Sequence, residues 1–179
     1  MDRFWFLTWT TYGTWLPGDP RGFVSRVREN RHSVGTRIEH DQPGTPVDSN
    51  LPGLQRSAST LLKGAPVRLT AAQAVDALAD FQRTAAYRGW DLLAAAVMAN
   101  HVHLVVGAPG DPDPAKLLQI FKSYASRSLN SKYQRPEAGT WWTESGSRRK
   151  LADEVSVLSA MQYVAKQEYP LALYVRDVD

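Results

Sequence analysis

The sequence contains no cysteine. This absence excludes disulfides, thiolate metal sites and cysteine nucleophiles, and it fits a reducing compartment without proving it. Long apolar runs are also missing, because no stretch approaches the roughly 20 residues that a membrane-spanning helix needs. The aromatic segment at residues 4–9 is too short for a signal peptide. We therefore expect a cytoplasmic protein that does not contact a membrane.

Acidic residues are scarce in one part of the chain. The formal net charge is +3, but residues 116–150 hold eight Lys or Arg residues and two Glu residues, so this segment carries +6 and the rest −3. A solvated charged face is one interpretation. The other is a surface for single-stranded nucleic acid, in which cations bind phosphates and interleaved rings stack on bases. The predicted contacts are Lys122, Arg127, Arg148, Arg149, Lys150, Trp141 and Trp142.

Hydrophobic periodicity predicts strands and helices on both sides of one unpatterned region. Residues 19–66 are rich in Gly, Pro, Ser, Arg and Asp, so we expect a flexible insertion there, with disorder favoured over a functional flap for residues 28–60. Elsewhere we expect a strand at 3–11, a helix from its cap Thr70 to 88, and a hairpin of strands at 91–98 and 101–107. A helix at 114–129, a strand at 140–143 and a helix at 152–168 complete the prediction.

This order of elements predicts an α+β fold. A strand, a helix, two strands, a helix and a strand follow one another in the ferredoxin-like or RRM-like antiparallel sheet, which carries its helices on one face. The last predicted helix is an addition at the C-terminus. An unrelated α+β sandwich is the alternative. We expect residues 1–179 to form a single domain that contains the insertion, because a chain of 179 residues can bury one core without covalent staples.

The most informative stretch is the pair His101 and His103. Side chains alternate across a strand, so both imidazoles leave the same face of the sheet while Val102 and Leu104 point into the core. Two imidazoles side by side can form half of a divalent-metal site. Two surface histidines, or two hydrogen-bonded ones, are the competing interpretation.

The last predicted helix presents a second feature of interest. Its apolar residues Val157, Ala160, Met161, Val164 and Ala165 recur at helical spacing and predict its buried stripe. Tyr163 and Gln167 are four residues apart, so they lie on one flank of the helix, away from that stripe. A surface tyrosine is the ordinary interpretation of this pattern. A phenol and an amide presented together are also what a nucleophile beside a metal-held phosphate requires.

These motifs in this order resemble the single-tyrosine HUH (IS200-like) transposases, in particular the REP-associated tyrosine transposases. The likeness rests on residues 100–104 (NHVHL), on the Trp-Trp pair at 141–142 with GSRR at 146–149, and on Tyr163, Val164 and Gln167. Residues 7–18 are similar to one branch of the same group. The likeness covers the strand and helix framework nearly end to end and is weakest at residues 22–66.

The resemblance implies a mechanism for these residues. It makes His101, His103 and Gln167 ligands of a divalent ion, Mg²⁺ or Mn²⁺, and Tyr163 the nucleophile that forms a 5′-phosphotyrosine beside a hairpin in single-stranded DNA. It also leaves open a homodimer in which Tyr163 serves the histidines of the second subunit. Tyr124 is the competing nucleophile, although its place in the apolar face of its helix favours packing.

Two other classes of protein remain open. One is a nucleic-acid-binding module on a ferredoxin-like sheet that performs no chemistry and stacks bases on the aromatic residues of its first strand. The other is a metal-dependent hydrolase in which water attacks and Tyr163 has no role. The first needs no metal, and the second leaves no protein attached to DNA.

Overall fold

The computed structural model describes residues 2–20 and 50–177. Most of them belong to one compact unit, residues 1–14 and 64–179, built on a five-stranded antiparallel sheet. Its strands are β1 (Asp2–Thr10), β2 (Asp91–Val97), β3 (His101–Pro109), β4 (Ser147–Leu151) and β5 (Ala172–Val175), in the spatial order β4-β1-β3-β2-β5. The first four strands have the ferredoxin-like order, and the predicted α+β class is confirmed.

Helices cover both faces of this sheet. Helix α2 (Ala71–Arg88) and helix α3 (Pro114–Lys132) pack on one face, against the alternate β1 residues Trp5, Leu7 and Trp9. Helix α4 (Glu154–Ala165) packs on the opposite face through Val157, Ala160, Met161 and Val164. The second face also carries Phe4 and Phe6 of β1, so the chain buries two separate apolar layers.

Local signals in the sequence explain where the helices begin and end. The Thr70 side chain accepts from the Gln73 backbone N–H at 3.3 Å, and the Gln73 side chain in turn accepts from the Thr70 N–H at 2.9 Å. This capping box starts α2, and Gly89 in the left-handed conformation (φ 66°) ends it. Asp153 caps α4 in the same way through Ser156. The predicted helix and hairpin positions are confirmed to within a few residues.

The predicted strand at 140–143 is wrong. That segment makes only an isolated bridge between Trp142 and Thr11, and the fourth strand lies further on, at residues 147–151. Gly146 allows this strand to begin, because a Cβ atom there would lie 2.6 Å from the Thr8 carbonyl oxygen. Four of the five β4 residues are exposed, so no alternation of apolar residues marked this strand in the sequence.

Three further corrections concern chain segments outside the main hairpin. Helix α4 ends at Ala165 and not near residue 168, and β5 was not predicted. Residues 28–49 of the segment expected to be disordered lie outside the described residues, whereas Pro52–Thr60 forms helix α1. Proline at the first turn of α1 favours the start of a helix, and none of the residues of α1 is buried.

Helix α1 belongs to a second compact unit, residues 15–63, of which residues 15–20 and 50–63 are described. Gly18 (φ 88°) is required there, because a Cβ atom would lie 2.4 Å from the Leu51 carbonyl oxygen. Within residues 2–20 and 50–177, no helix is long and apolar enough to cross a lipid bilayer.

Candidate functional site

The two histidines of β3 share the sheet face that α4 covers. His101 lies opposite Thr10 of β1 and His103 lies opposite Thr8, so the ladder fixes both positions. Their ring centroids are 4.8 Å apart, with an interplanar angle of 79°. The strand alternation therefore brings both imidazoles to one place, as expected from the sequence.

His103 is held inside the protein. Only 6% of it is exposed, its Nδ1 atom lies 2.8 Å from the Thr8 hydroxyl, and its ring stacks on Phe6 with centroids 5.5 Å apart. Burial, together with the nearby His101 imidazole, lowers the pKa of His103 to about 3. His103 is therefore neutral at physiological pH, which is the state that binds a metal ion.

His101 is oriented by its neighbour in the sequence. The Nδ1 atom of His101 lies 2.7 Å from the Oδ1 atom of Asn100. An amide oxygen only accepts hydrogen bonds, so the proton of the neutral imidazole is on Nδ1 and the lone pair is on Nε2. The ligand atom that His101 offers is thus Nε2.

Tyr163 stands against His103. Helix α4 turns its apolar residues toward the sheet, which leaves Tyr163 on its flank with 53% of its surface exposed. The Tyr163 ring meets the His103 ring edge-on, with centroids 5.4 Å apart and an interplanar angle of 83°. It also meets Phe6 edge-on at 5.8 Å. The phenol is therefore both accessible to a substrate and adjacent to the histidine pair.

Gln167 lies just beyond α4 and not within it. Its backbone N–H donates to the Val164 carbonyl at 3.3 Å, and its side-chain amide N–H donates to the Tyr163 carbonyl at 3.2 Å. The latter bond brings the amide back toward the turn that carries Tyr163. The amide nitrogen is engaged in this way, which leaves the amide oxygen as the atom suited to a cation.

The residues present are of the kind that a divalent ion binds. The two imidazoles lie side by side on one strand next to an exposed phenol, and Gln167 offers an amide oxygen beside the turn that carries Tyr163. None of these groups carries a charge when it acts as a ligand. Within the described residues no cluster of three or more His, Cys, Asp or Glu side chains forms a metal site. An ion held by His101, His103 and Gln167 would thus keep its full charge for a phosphate.

Of the three consecutive basic residues of β4, only Arg149 shares the face of the histidines. It lies opposite Phe6 in the β1–β4 ladder, and residues opposite each other project to the same side. The Arg149 guanidinium carbon lies 5.4 Å from the centroid of the Phe6 ring, which in turn stacks on His103. Arg149, Phe6 and His103 therefore form a row across the sheet.

Arg148 and Lys150 project to the other face. They lie opposite Leu7 and Trp5, both of which are core residues beneath α2 and α3. The Lys150 ammonium lies 5.7 Å from the Trp5 ring centroid and 3.6 Å from the Asp111 carboxylate. The sequence placed the three basic residues in one cluster, but strand alternation divides them.

Lys122 is buried and supports a loop. Only 8% of it is exposed, and its ammonium donates to the carbonyls of Thr143, Glu144 and Ser145 at 2.7, 3.2 and 2.8 Å. Burial lowers the pKa of Lys122 to about 8, and the charge of Arg148 acts in the same direction. This placement favours a structural role over the predicted contact with nucleic acid.

The two tryptophans are also buried. Trp141 is 3% exposed and donates its indole N–H to the side-chain oxygen of Asn130 at 2.8 Å. Trp142 is 4% exposed and donates to the Lys122 carbonyl at 3.2 Å. Neither ring offers an open face to a base, so their placement favours packing over the predicted stacking on DNA.

Arg127 lies on the helical face of the molecule. Its guanidinium carbon lies 5.5 Å from the Tyr124 ring centroid, and that of Arg88 lies 5.9 Å from the same ring. Neither arginine pairs with a carboxylate among the described residues. Tyr124, the competing nucleophile, thus contacts two arginines on α2 and α3, the helices on the face opposite the histidines.

Comparison with known proteins decides the family. The model of the family "Transposase IS200 like" matches residues 69–167, more than half of the chain, including the histidine pair, the basic strand and Tyr163. The chain belongs to the IS200-like transposase family. No curated protein matches it significantly. A crystal structure of a candidate transposase from Deinococcus radiodurans R1 is 16% identical, covers 93% of this chain and 92% of its own, and has a TM-score of 0.47. That likeness is too distant to carry an argument.

Sequence reasoning missed three residues that hold the site of this IS200-like transposase together. Phe6 and Thr8 support His103, and the Asn100 side chain supports His101. The alternation of residues 4–10 offered a signal for the first two, because Phe6 and Thr8 share a face of β1. Asn100 belonged to a recognised motif, but its hydrogen bond could not be read from the sequence.

Proposed function

We propose that this IS200-like transposase nicks and rejoins single-stranded DNA beside a hairpin, with Tyr163 as the nucleophile and a divalent ion held by His101, His103 and Gln167. Membership of the family supports DNA strand cleavage and transfer as the activity. The observation that carries the finer proposal is the edge-on contact between the exposed Tyr163 ring and the buried His103 ring.

The covalent step needs only the phenol and the phosphodiester. The Tyr163 oxygen attacks the phosphorus in line, the new P–O bond forms as the bond to the 3′ oxygen of the preceding nucleotide breaks, and a 5′-phosphotyrosine and a 3′-hydroxyl result. The phenol proton passes to solvent or a nearby base. Because the phosphodiester is exchanged and not hydrolysed, the reverse attack by a 3′-hydroxyl rejoins DNA without a nucleotide cofactor.

The chain's own residues prepare this step. Thr8 and Phe6 hold the His103 ring in place, and Asn100 presents Nε2 of His101. A bound Mg²⁺ or Mn²⁺ would polarise the scissile phosphate and stabilise the charge that develops on its oxygens. Gln167 would be the third ligand. Its side-chain amide donates to the Tyr163 carbonyl, which keeps it beside the turn that carries the nucleophile.

The basic residues support a path for the DNA strand across the site. Arg149 is the cation placed on the face of the site, so it binds a phosphate close to the scissile one. Arg127, unpaired with carboxylates among the described residues, is available to a more distant part of the strand. A homodimer in which Tyr163 acts on the histidines of a second subunit is compatible with this proposal.

The test is a nicking assay on single-stranded oligonucleotides that carry the hairpins flanking the gene. Wild-type protein with Mn²⁺ should nick next to a hairpin, and Tyr163→Phe should bind the same DNA without nicking it, because the variant keeps the ring and loses the attacking oxygen. Tyr169→Phe is the matched control, since Tyr169 is 90% exposed and lies outside the site. Equal nicking by wild type and Tyr163→Phe would overturn the proposal.

A further inference from the structure

Hydrogen bonds from other segments of the chain hold the turn between β2 and β3. The Met98 N–H donates to the His101 carbonyl at 2.8 Å, so Ala99 and Asn100 are the two residues at the tip of the hairpin. Two-residue hairpin turns favour residues with positive φ, and neither Ala99 nor Asn100 has one. The turn therefore depends on contacts with the rest of the molecule more than on its own residues.

The Asn100 carbonyl accepts from the Thr11 backbone N–H at 2.9 Å. The Thr11 and Thr14 hydroxyls each lie 3.1 Å from the same oxygen, and each has a shorter acceptor elsewhere. Thr11 is fully buried, and its hydroxyl also approaches the Val67 carbonyl at 2.6 Å. The Ala99 carbonyl accepts from the Leu69 N–H at 2.7 Å. The backbone of the turn is thus fixed by two other segments of the chain.

The side chain of the same residue reaches the histidine. Its Oδ1 atom accepts from Nδ1 of His101 at 2.7 Å, and an amide oxygen cannot donate in return. The bond between Thr8 and His103 differs, because a hydroxyl can donate or accept and so leaves the tautomer of His103 open. The Asn100 amide oxygen therefore favours one tautomer of His101, whereas the Thr8 hydroxyl is compatible with either tautomer of His103.

We propose that Asn100 is a positioning residue. Its backbone is held by other segments of the chain, and its side chain orients the His101 ring so that Nε2 of His101 is the nitrogen that binds the ion. The inference rests on the proposed function in one respect, namely that His101 binds a divalent ion. Hydrogen bonds from a neighbouring group to the second ring nitrogen commonly fix the orientation of a metal-binding histidine, and their loss typically weakens metal affinity about 10- to 100-fold.

Binding of Mn²⁺ to the full chain tests this inference without any measurement of DNA cleavage. Asn100→Ala should weaken Mn²⁺ binding by about 10- to 100-fold. Asn100→Asp should keep binding within a few fold, because a carboxylate also accepts from Nδ1. Asn130→Ala is the matched control. Asn130, in α3, also accepts a hydrogen bond from a ring N–H through its side-chain oxygen, that of Trp141 at 2.8 Å, and the variant should leave Mn²⁺ affinity unchanged.

A second measurement needs no metal. Nitrogen chemical shifts of His101 in the metal-free protein should show the Nδ1–H tautomer in the wild type and in Asn100→Asp, and a mixture of tautomers in Asn100→Ala. A predominant Nε2–H tautomer in the wild type would overturn the inference, and so would equal Mn²⁺ affinity in wild type and Asn100→Ala, or an equal loss in Asn100→Asp and Asn100→Ala. Should the wild type fail to bind Mn²⁺, the metal part of the proposed function falls, and the tautomer alone decides the role of Asn100.

Discussion

The ring of Tyr163 stands edge-on to the ring of His103, with 5.4 Å between their centroids, although the two residues come from a helix and a strand 60 positions apart. Phe6 contacts both rings, and the centroid of its ring lies 5.5 Å from that of His103 and 5.8 Å from that of Tyr163. A buried imidazole, an exposed phenol and the phenyl ring between them define the centre of the site.

The first prediction concerns acid stability in the presence of a chelator. The pKa of His103 is lowered from 6.5 to about 3 in the folded chain, so between these pH values the unfolded state binds a proton that the folded state does not. Stability should therefore fall as pH drops from about 6.5 toward 3, by up to about 1.4 kcal/mol per pH unit from this residue.

Urea unfolding of wild type and His103→Gln between pH 4 and 7 measures this slope. Protonation of carboxylates is common to both proteins and cancels in the comparison. The wild type should show the steeper loss, and parallel curves would contradict the burial of His103. Because His103 stays neutral well below pH 6.5, a loss of cleavage near that pH has to come from another group.

The second prediction separates the three basic residues of β4. Arg149→Ala should weaken binding to single-stranded DNA and lower the salt dependence of the affinity by up to about one unit, because only this side chain shares the histidine face. Lys150→Ala should change the slope less, since Lys150 lies on the other face near Asp111. Fluorescence anisotropy at several salt concentrations compares them. An equal change in the salt dependence for Arg149→Ala and Lys150→Ala would show that the sheet face of a side chain does not decide whether it contacts DNA.

The third prediction concerns the buried lysine. Lys122→Met removes the donor to three carbonyls in residues 143–145 and should destabilise the protein by about 1–3 kcal/mol, because three hydrogen bonds from a charged group are lost. Lys116→Met on the exposed side of the same helix should stay within about 0.5 kcal/mol of wild type. Denaturant unfolding gives both values. A stable Lys122→Met variant with weakened DNA binding would instead favour the contact predicted from the sequence.

The fourth prediction concerns the divalent ion. Nicking should need added Mg²⁺ or Mn²⁺ and should stop in excess chelator, since the neutral imidazoles and amide supply no charge to the phosphate. His101→Ala and His103→Ala should abolish nicking while hairpin binding persists. The assay is cleavage of labelled DNA at increasing Mn²⁺ concentration. Undiminished cleavage in excess chelator would show that the reaction needs no divalent ion.

The sequence predicted the framework because its main signals are local. The capping box at Thr70, Pro114 at the first turn of α3 and the alternation around His101 depend on residues close in the chain. The β4 strand was misplaced because an exposed edge strand of charged residues carries no apolar alternation. The nearby Trp-Trp pair supplied a stronger but misleading strand signal.

The site itself was predicted only in part, for a related reason. Strand and helix periodicity indicate that His101 and His103 share a face and that Tyr163 leaves the apolar stripe. The support that Thr8 gives to His103 arises from a ladder between residues 95 positions apart, and such pairing has no local signature. The burial of Lys122 likewise depends on carbonyls that lie more than 20 residues away.

The most direct test of the central claim is the identity of the residue that becomes linked to DNA. Wild-type protein should be incubated with Mn²⁺ and single-stranded oligonucleotides labelled on either side of the nick, denatured, digested with protease and analysed by mass spectrometry. The account predicts an adduct on the peptide that contains Tyr163, carrying only the DNA 3′ of the nick, and its complete loss in Tyr163→Phe. An adduct on the peptide that contains Tyr124, or nicking with no adduct at all, would contradict it.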